Sequence, residues 1–98
     1  MLQKHYLSQG QICQVTFILP PAIDAKSAVL VGDFNNWNKT ATPMAQFQDG
    51  TWQVKVNLNV GKEYQFRYFI NGSEWHNDWE ADKYVMNPHG GENSVVIT

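Results

Sequence analysis

Cysteine is nearly absent: Cys13 stands alone among 98 residues. Small secreted domains often carry paired cysteines, so a disulfide framework is excluded and a reducing, cytoplasmic setting is expected. Basic charge is also scarce. Seven Lys and Arg against nine Asp and Glu give a net charge of −2, which offers no basic face to nucleic acid or to an anionic membrane. No apolar run approaches the roughly 20 residues of a membrane helix. The N-terminal MLQKHYLSQGQ has no apolar core of a signal peptide. Segments of helical length with an apolar stripe are missing too, as are repeats, low-complexity tracts and linkers. A chain of this length makes one domain, spanning 1–98 with its first ten residues loose, and buries about 60% of its unfolded surface.

What remains is period two. In TWQVKVNL, Trp52, Val54, Val56 and Leu58 fall on one side and Gln53, Lys55 and Asn57 on the other. In EYQFRYFI, Tyr64, Phe66, Tyr68 and Ile70 share a face opposite Gln65, Arg67 and Phe69. Cys13, Val15, Phe17 and Leu19 make an earlier strand, with Cys13 a small buried hydrophobe. Ala28–Val31 is a short central run and Ser94–Thr98 a terminal strand. Asp49-Gly50 and Asn71-Gly72 are hairpin turns, Asn59–Gly61 is another turn, and Pro20-Pro21 ends the first strand. This spacing predicts an all-β, immunoglobulin-like antiparallel sandwich. Residues 74–93 are polar and predict one long loop carrying aromatics.

Four tryptophans are many for this length. Trp52 is in phase with the apolar face and belongs in the core, together with the five phenylalanines. Trp37, Trp75 and Trp79 sit instead among Asn35, Asn36, Asn38, Glu74, His76, Asp78 and Glu80. An indole offers dispersion and desolvation to the C–H face of a pyranose ring, while amides, Lys or Arg hold its hydroxyl rim. Arg67, out of phase with the buried strand face, should leave on the same side as these tryptophans. The plainer alternatives are a solvated Arg67 and edge-of-core tryptophans.

Three segments carry a resemblance: VGDFNNWN, DGTWQVKVNLNVGKEYQFRYFINGSEWHND and GGENSVV. Together, in this order, they resemble the glycogen-binding domains of carbohydrate-binding module family 48, the early-set sandwiches of isoamylases, glycogen branching enzymes and the β-subunit of AMP-activated protein kinase. The resemblance implies an α-1,4-glucan site in which Trp37 and Trp75 stack on glucose and Arg67 and Asn93 bond its hydroxyls. It departs from the kinase-type pattern at His89 and Gly91, where those domains carry a Leu and a Thr, and at Trp79, where the family commonly has Pro. Trp79 is then either a third platform or a loop-packing residue. The family's domains are usually attached to a catalytic barrel or a kinase complex; this chain is expected to be a stand-alone, non-catalytic module without cofactor, binding an α-glucan polysaccharide and serving a glycogen-metabolising enzyme in trans.

Other chemistries have weaker signals. Residues 76–82, with His89 and Glu92, have a ligand-like rhythm but no zinc or EF-hand spacing. Asp33, Asp78, Glu80 and Asp82 could supply a glycosidase pair, yet a lone small sandwich has little room for a cleft. No nucleophile elbow occurs. The serious rival is a protein-interaction module using the same tryptophans as hot spots.

Overall fold

A computed structural model of the chain describes residues 1–7, 10–21, 24–88 and 90–98. Among the described residues, nine strands form two antiparallel sheets. The first sheet has the order β1 (Leu2–Tyr6), β2 (Ile12–Leu19), β5 (Trp52–Asn59), β4 (Ala45–Gln46). The second has the order β3 (Ala28–Gly32), β6 (Glu63–Ile70), β9 (Glu92–Ile97), β8 (Lys83–Met86), with the short β7 (Glu74–His76) also paired to β6. This is the expected immunoglobulin-like sandwich.

Alternation decides what lies between the sheets. Cys13, Val15, Phe17 and Leu19 point inward from β2 and face Leu58, Val56, Val54 and Trp52 on β5 in register. Phe66, Tyr68 and Ile70 point inward from β6. Phe66 stands edge-on to Phe17 at 4.9 Å and to Tyr68 at 5.6 Å, the favoured arrangement for aromatic pairs. Only Phe17 and Phe66 among the phenylalanines are fully buried. Phe34 is half-buried, Phe47 is exposed, and Phe69 lies on the outward face of β6. The expectation that all five fill the core is therefore corrected.

Two further expectations change. Residues 74–93 are not one loop, because they contain β7 and β8. Within the first ten residues, Leu2–Tyr6 pairs with β2 as an edge strand. Both changes have one cause: these strands are short, lie at edges and bury few side chains, so burial leaves little apolar alternation in their sequences.

One buried polar cluster ties the sheets together. Asp78, between β7 and β8, accepts hydrogen bonds from the Tyr68 hydroxyl at 2.6 Å and the Glu80 amide at 2.7 Å. Its carboxylate also takes the Met1 amino group at 2.7 and 2.8 Å. The Asp78 amide donates to Ser94 Oγ at 2.8 Å, and the Tyr84 hydroxyl donates to the Asp78 carbonyl. Burial, and then the Asp78 charge, push the Tyr68 hydroxyl well above its ordinary pKa, so it stays a neutral donor.

Candidate carbohydrate-binding face

The segment after β3 divides its residues between holding itself and facing outward. Gly32 comes first because there is no room for anything larger. A Cβ there would lie 2.6 Å from the Gln65 carbonyl oxygen and 2.9 Å from Phe66 Cβ. This close approach of β3 to β6 leads into a 3-10 turn at Asp33–Asn35. Phe34 turns inward and meets the Phe17 ring at 5.7 Å and the Tyr64 ring at 6.2 Å. Asn35 donates to the Leu30 carbonyl and Thr42 Oγ1 and accepts from the Gly32 amide, at 2.9–3.0 Å. Asn38 accepts from both the amide and hydroxyl of Thr40 at 2.8 Å. Two of the amides beside Trp37 thus build the loop itself.

Trp37 is half-buried and sits at φ 56°, directly after Asn36 at φ 57°. Left-handed backbone costs a non-glycine residue roughly 1–2 kcal/mol, and Trp lacks the short polar side chain with which Asn or Asp lessens that. Asp33 secures the arrangement. Its Oδ1 accepts the Trp37 indole N–H at 2.9 Å and its Oδ2 accepts the Gln65 amide at 2.8 Å. One carboxylate therefore fixes the indole to the end of the β3–β6 ladder. Asp33→Ala is expected to cost about 1–3 kcal/mol of stability, by leaving these donors without their acceptor. It should also free the Trp37 ring, which urea unfolding and tryptophan fluorescence anisotropy would show together.

The second group is built by strand parity. Arg67 and Phe69 leave the outward face of β6, and β7 places Trp75 opposite Phe69 in register. The two rings meet at 4.6 Å between centroids, tilted by 45°. The turn that brings β7 back uses Asn71 at φ 54° and Gly72 at φ 71°, the pair of positive φ values a tight hairpin needs. The Arg67 guanidinium lies 5.7 Å from the Trp75 ring centroid. Lys39, two residues after Trp37, reaches over both rings, with Nζ 5.2 Å from Phe69 and 5.6 Å from Trp75. Lys39 thereby brings the Trp37 loop to the Trp75 platform. Among the described residues neither Lys39 nor Arg67 is ion-paired with a carboxylate, and Arg67 Nε is buried without a hydrogen-bond partner.

The remaining expected residues are placed differently. Asn93 is only 8% exposed. It donates to Gln65 Oε1 at 2.9 Å and accepts from Asn87 at 3.3 Å. Gly91 closes the β8–β9 turn, its amide bonded to Asn87 Oδ1 at 3.1 Å. Trp79 is 63% exposed and borders a separate cavity. His89 lies outside the described residues. Phe69 and Lys39 are additions. Phe69 shares the parity of Arg67, a legible signal; the reach of Lys39 leaves no mark in the sequence.

Among the described residues no three His, Cys, Asp or Glu side chains converge as metal ligands, and no helix is long and apolar enough to cross a membrane. The family model for carbohydrate-binding module 48 (isoamylase N-terminal domain) matches residues 10–95. A 1,4-alpha-glucan branching enzyme GlgB of Aquifex aeolicus is 37% identical over 71 residues, which cover 69% of this chain and 10% of the enzyme. A GlgB of Lactobacillus acidophilus is 30% identical over 79 residues, covering 78% of this chain and 12% of the enzyme. A GlgB of Thermosynechococcus vestitus is 33% identical over 64 residues, 64% of this chain and 8% of the enzyme. The chain thus spans about a tenth of the length of the curated relatives it matches.

Proposed function

This chain belongs to the carbohydrate-binding module 48 family, and we propose that it binds α-1,4-linked glucan, such as glycogen, starch or maltooligosaccharides, without catalysing its conversion. The observation that carries this reading is the Phe69–Trp75 pair with Arg67 and Lys39 beside it, on the outward face of a rigid sheet. A glucose ring lays its C–H face on Trp75, and a neighbouring ring of the same chain meets Trp37. The guanidinium, held beside the Trp75 ring, donates to ring hydroxyls. Lys39 reaches the hydroxyl rim from the other loop. Asn93 acts mainly by fixing the Gln65 amide next to Arg67, and turns a hydroxyl contact of its own only at the rim.

The names of the matched branching enzymes agree with a glucan ligand. The module would serve such an enzyme, in trans or as a part of the same protein, by keeping it on its polymer. A cytoplasmic setting suits the single buried thiol of Cys13.

Native affinity electrophoresis tests the reading. Glycogen in the gel is expected to retard the wild-type chain and to retard Trp37→Ala far less, while both migrate alike without glycogen. Equal migration of the wild type in both gels would overturn the glucan reading and leave the tryptophans as a protein-binding surface.

A further inference from the structure

A cavity of about 350 Å³ lies away from the Trp75 platform. That volume falls within the roughly 300–1,000 Å³ of small-molecule sites. Its walls come from the outward side of the first sheet and from residues 77–80, between β7 and β8. Ile18 and Gln53 are register partners on β2 and β5, out of phase with the inward Leu19, Phe17 and Val54. Pro21 and the Asp49-Gly50 turn close one end, packed so tightly that a Cβ on Gly50 would lie 2.9 Å from Pro21 Cβ. The exposed Trp79 forms the rim.

The polar groups on one wall are already ordered. Gln53 Nε2 donates to Thr51 Oγ1 at 3.0 Å, and Thr51 Oγ1 donates to Asp49 Oδ1 at 2.6 Å. The Thr51 bonds also hold Asp49 below the usual carboxylate range, so it remains a charged acceptor. This row of amide, hydroxyl and carboxylate shares the cavity with the apolar Ile18, Pro20 and Pro21 and with the exposed Trp79. The lining holds the carboxylates Asp49, Asp78 and Glu80 and no Lys or Arg, with the Met1 amino group bonded to Asp78, which suits a neutral polyhydroxyl ligand and disfavours a phosphorylated one.

We propose that this cavity is a second saccharide site, in which Trp79 stacks on a glucosyl unit and the Gln53–Thr51–Asp49 row bonds its hydroxyls. The choice of glucan as occupant rests on the function proposed above; the cavity and its chemistry do not. The cavity shares no lining residue with the Trp75 platform, and the buried Asp78 lies in the chain between Trp75 and Trp79. A module with two separate sites holds two polymer chains at once, or two stretches of one branched chain, and gains avidity without new contacts.

The indole N–H resonances of the full chain, followed by NMR during titration with maltoheptaose to about 10 mM, separate the sites. The Trp79 resonance is expected to shift in the wild type and to shift with the same midpoint in Trp75→Ala. Gln53→Ala should raise the Trp79 midpoint at least about three-fold, the loss of one hydrogen bond, and leave the Trp75 midpoint unchanged. A Trp79 resonance that stays fixed while Trp75 moves overturns the second site and leaves the first standing. A Trp79 shift that vanishes in Trp75→Ala also overturns it, since the two would then be one continuous site. A shift at Trp79 alone supports the second site and removes the Trp75 platform.

Discussion

Trp75→Ala is expected to fold and to lose about thirty-fold in affinity for maltoheptaose, roughly 2 kcal/mol, the loss usual for an interface Trp in an alanine scan. Folding should survive because Trp75 stands outside the sandwich. It is half-buried against Phe69 on the outward face and belongs to no part of the inter-sheet core. Loss of the Phe69 contact and of the nearby cations costs about 1–2 kcal/mol, within the roughly 5–15 kcal/mol that ordinary domains possess. Affinity should fall because the indole is the larger part of the platform. Without it, Arg67 and Lys39 lose the surface that positions a ring beside them. Calorimetric titration read beside a thermal scan separates the two effects. A variant that melts far lower would show Trp75 to be structural, and a well-folded variant of undiminished affinity would remove it from the site.

Asp78→Ala should have the largest effect on stability, about 2–4 kcal/mol, because it leaves the buried Tyr68 hydroxyl and the Glu80 amide without their acceptor. For a domain this size that is a fall in melting temperature of at least roughly 8 °C. The carboxylate is the partner of the buried Tyr68 hydroxyl, and it orders its own loop through the Glu80 amide. Alanine leaves the hydroxyl unpaired between the sheets. Asp78→Asn keeps one acceptor oxygen for Tyr68 and should recover part of the loss. Thermal scans of the two variants would show the order wild type, Asn, Ala. A melting temperature for Asp78→Ala within a few degrees of the wild type would show that the cluster contributes little.

Much of this architecture is legible in the sequence wherever a strand is long and half-buried. The alternation in EYQFRYFI assigns Phe66, Tyr68 and Ile70 to the core and leaves Arg67 outside, and β6 has that parity. The same parity puts Phe69 outside, but apolar character alone suggests burial, and only the returning β7 shows why an aromatic stands there. Edge strands leave fainter traces. LQKHY buries almost nothing, so β1 has no apolar alternation to read. The asparagines of the Trp37 loop illustrate another limit. A sequence shows that an amide is present but not which way it points, and Asn35 and Asn38 satisfy their own loop. Asp33 could have been suspected from its four-residue spacing to Trp37, because a single 3-10 turn brings those positions together.

The most direct test of glucan binding is a calorimetric titration of the unsubstituted chain with maltoheptaose, with a β-1,4-linked cello-oligosaccharide as the control. Platform stacking and exposed hydrogen bonds predict a Kd for maltoheptaose of roughly 10 μM to 1 mM, and much weaker heat from the straighter β-linked chain. No heat from maltoheptaose at millimolar concentration, or equal heat from both sugars, would contradict an α-glucan site on this face.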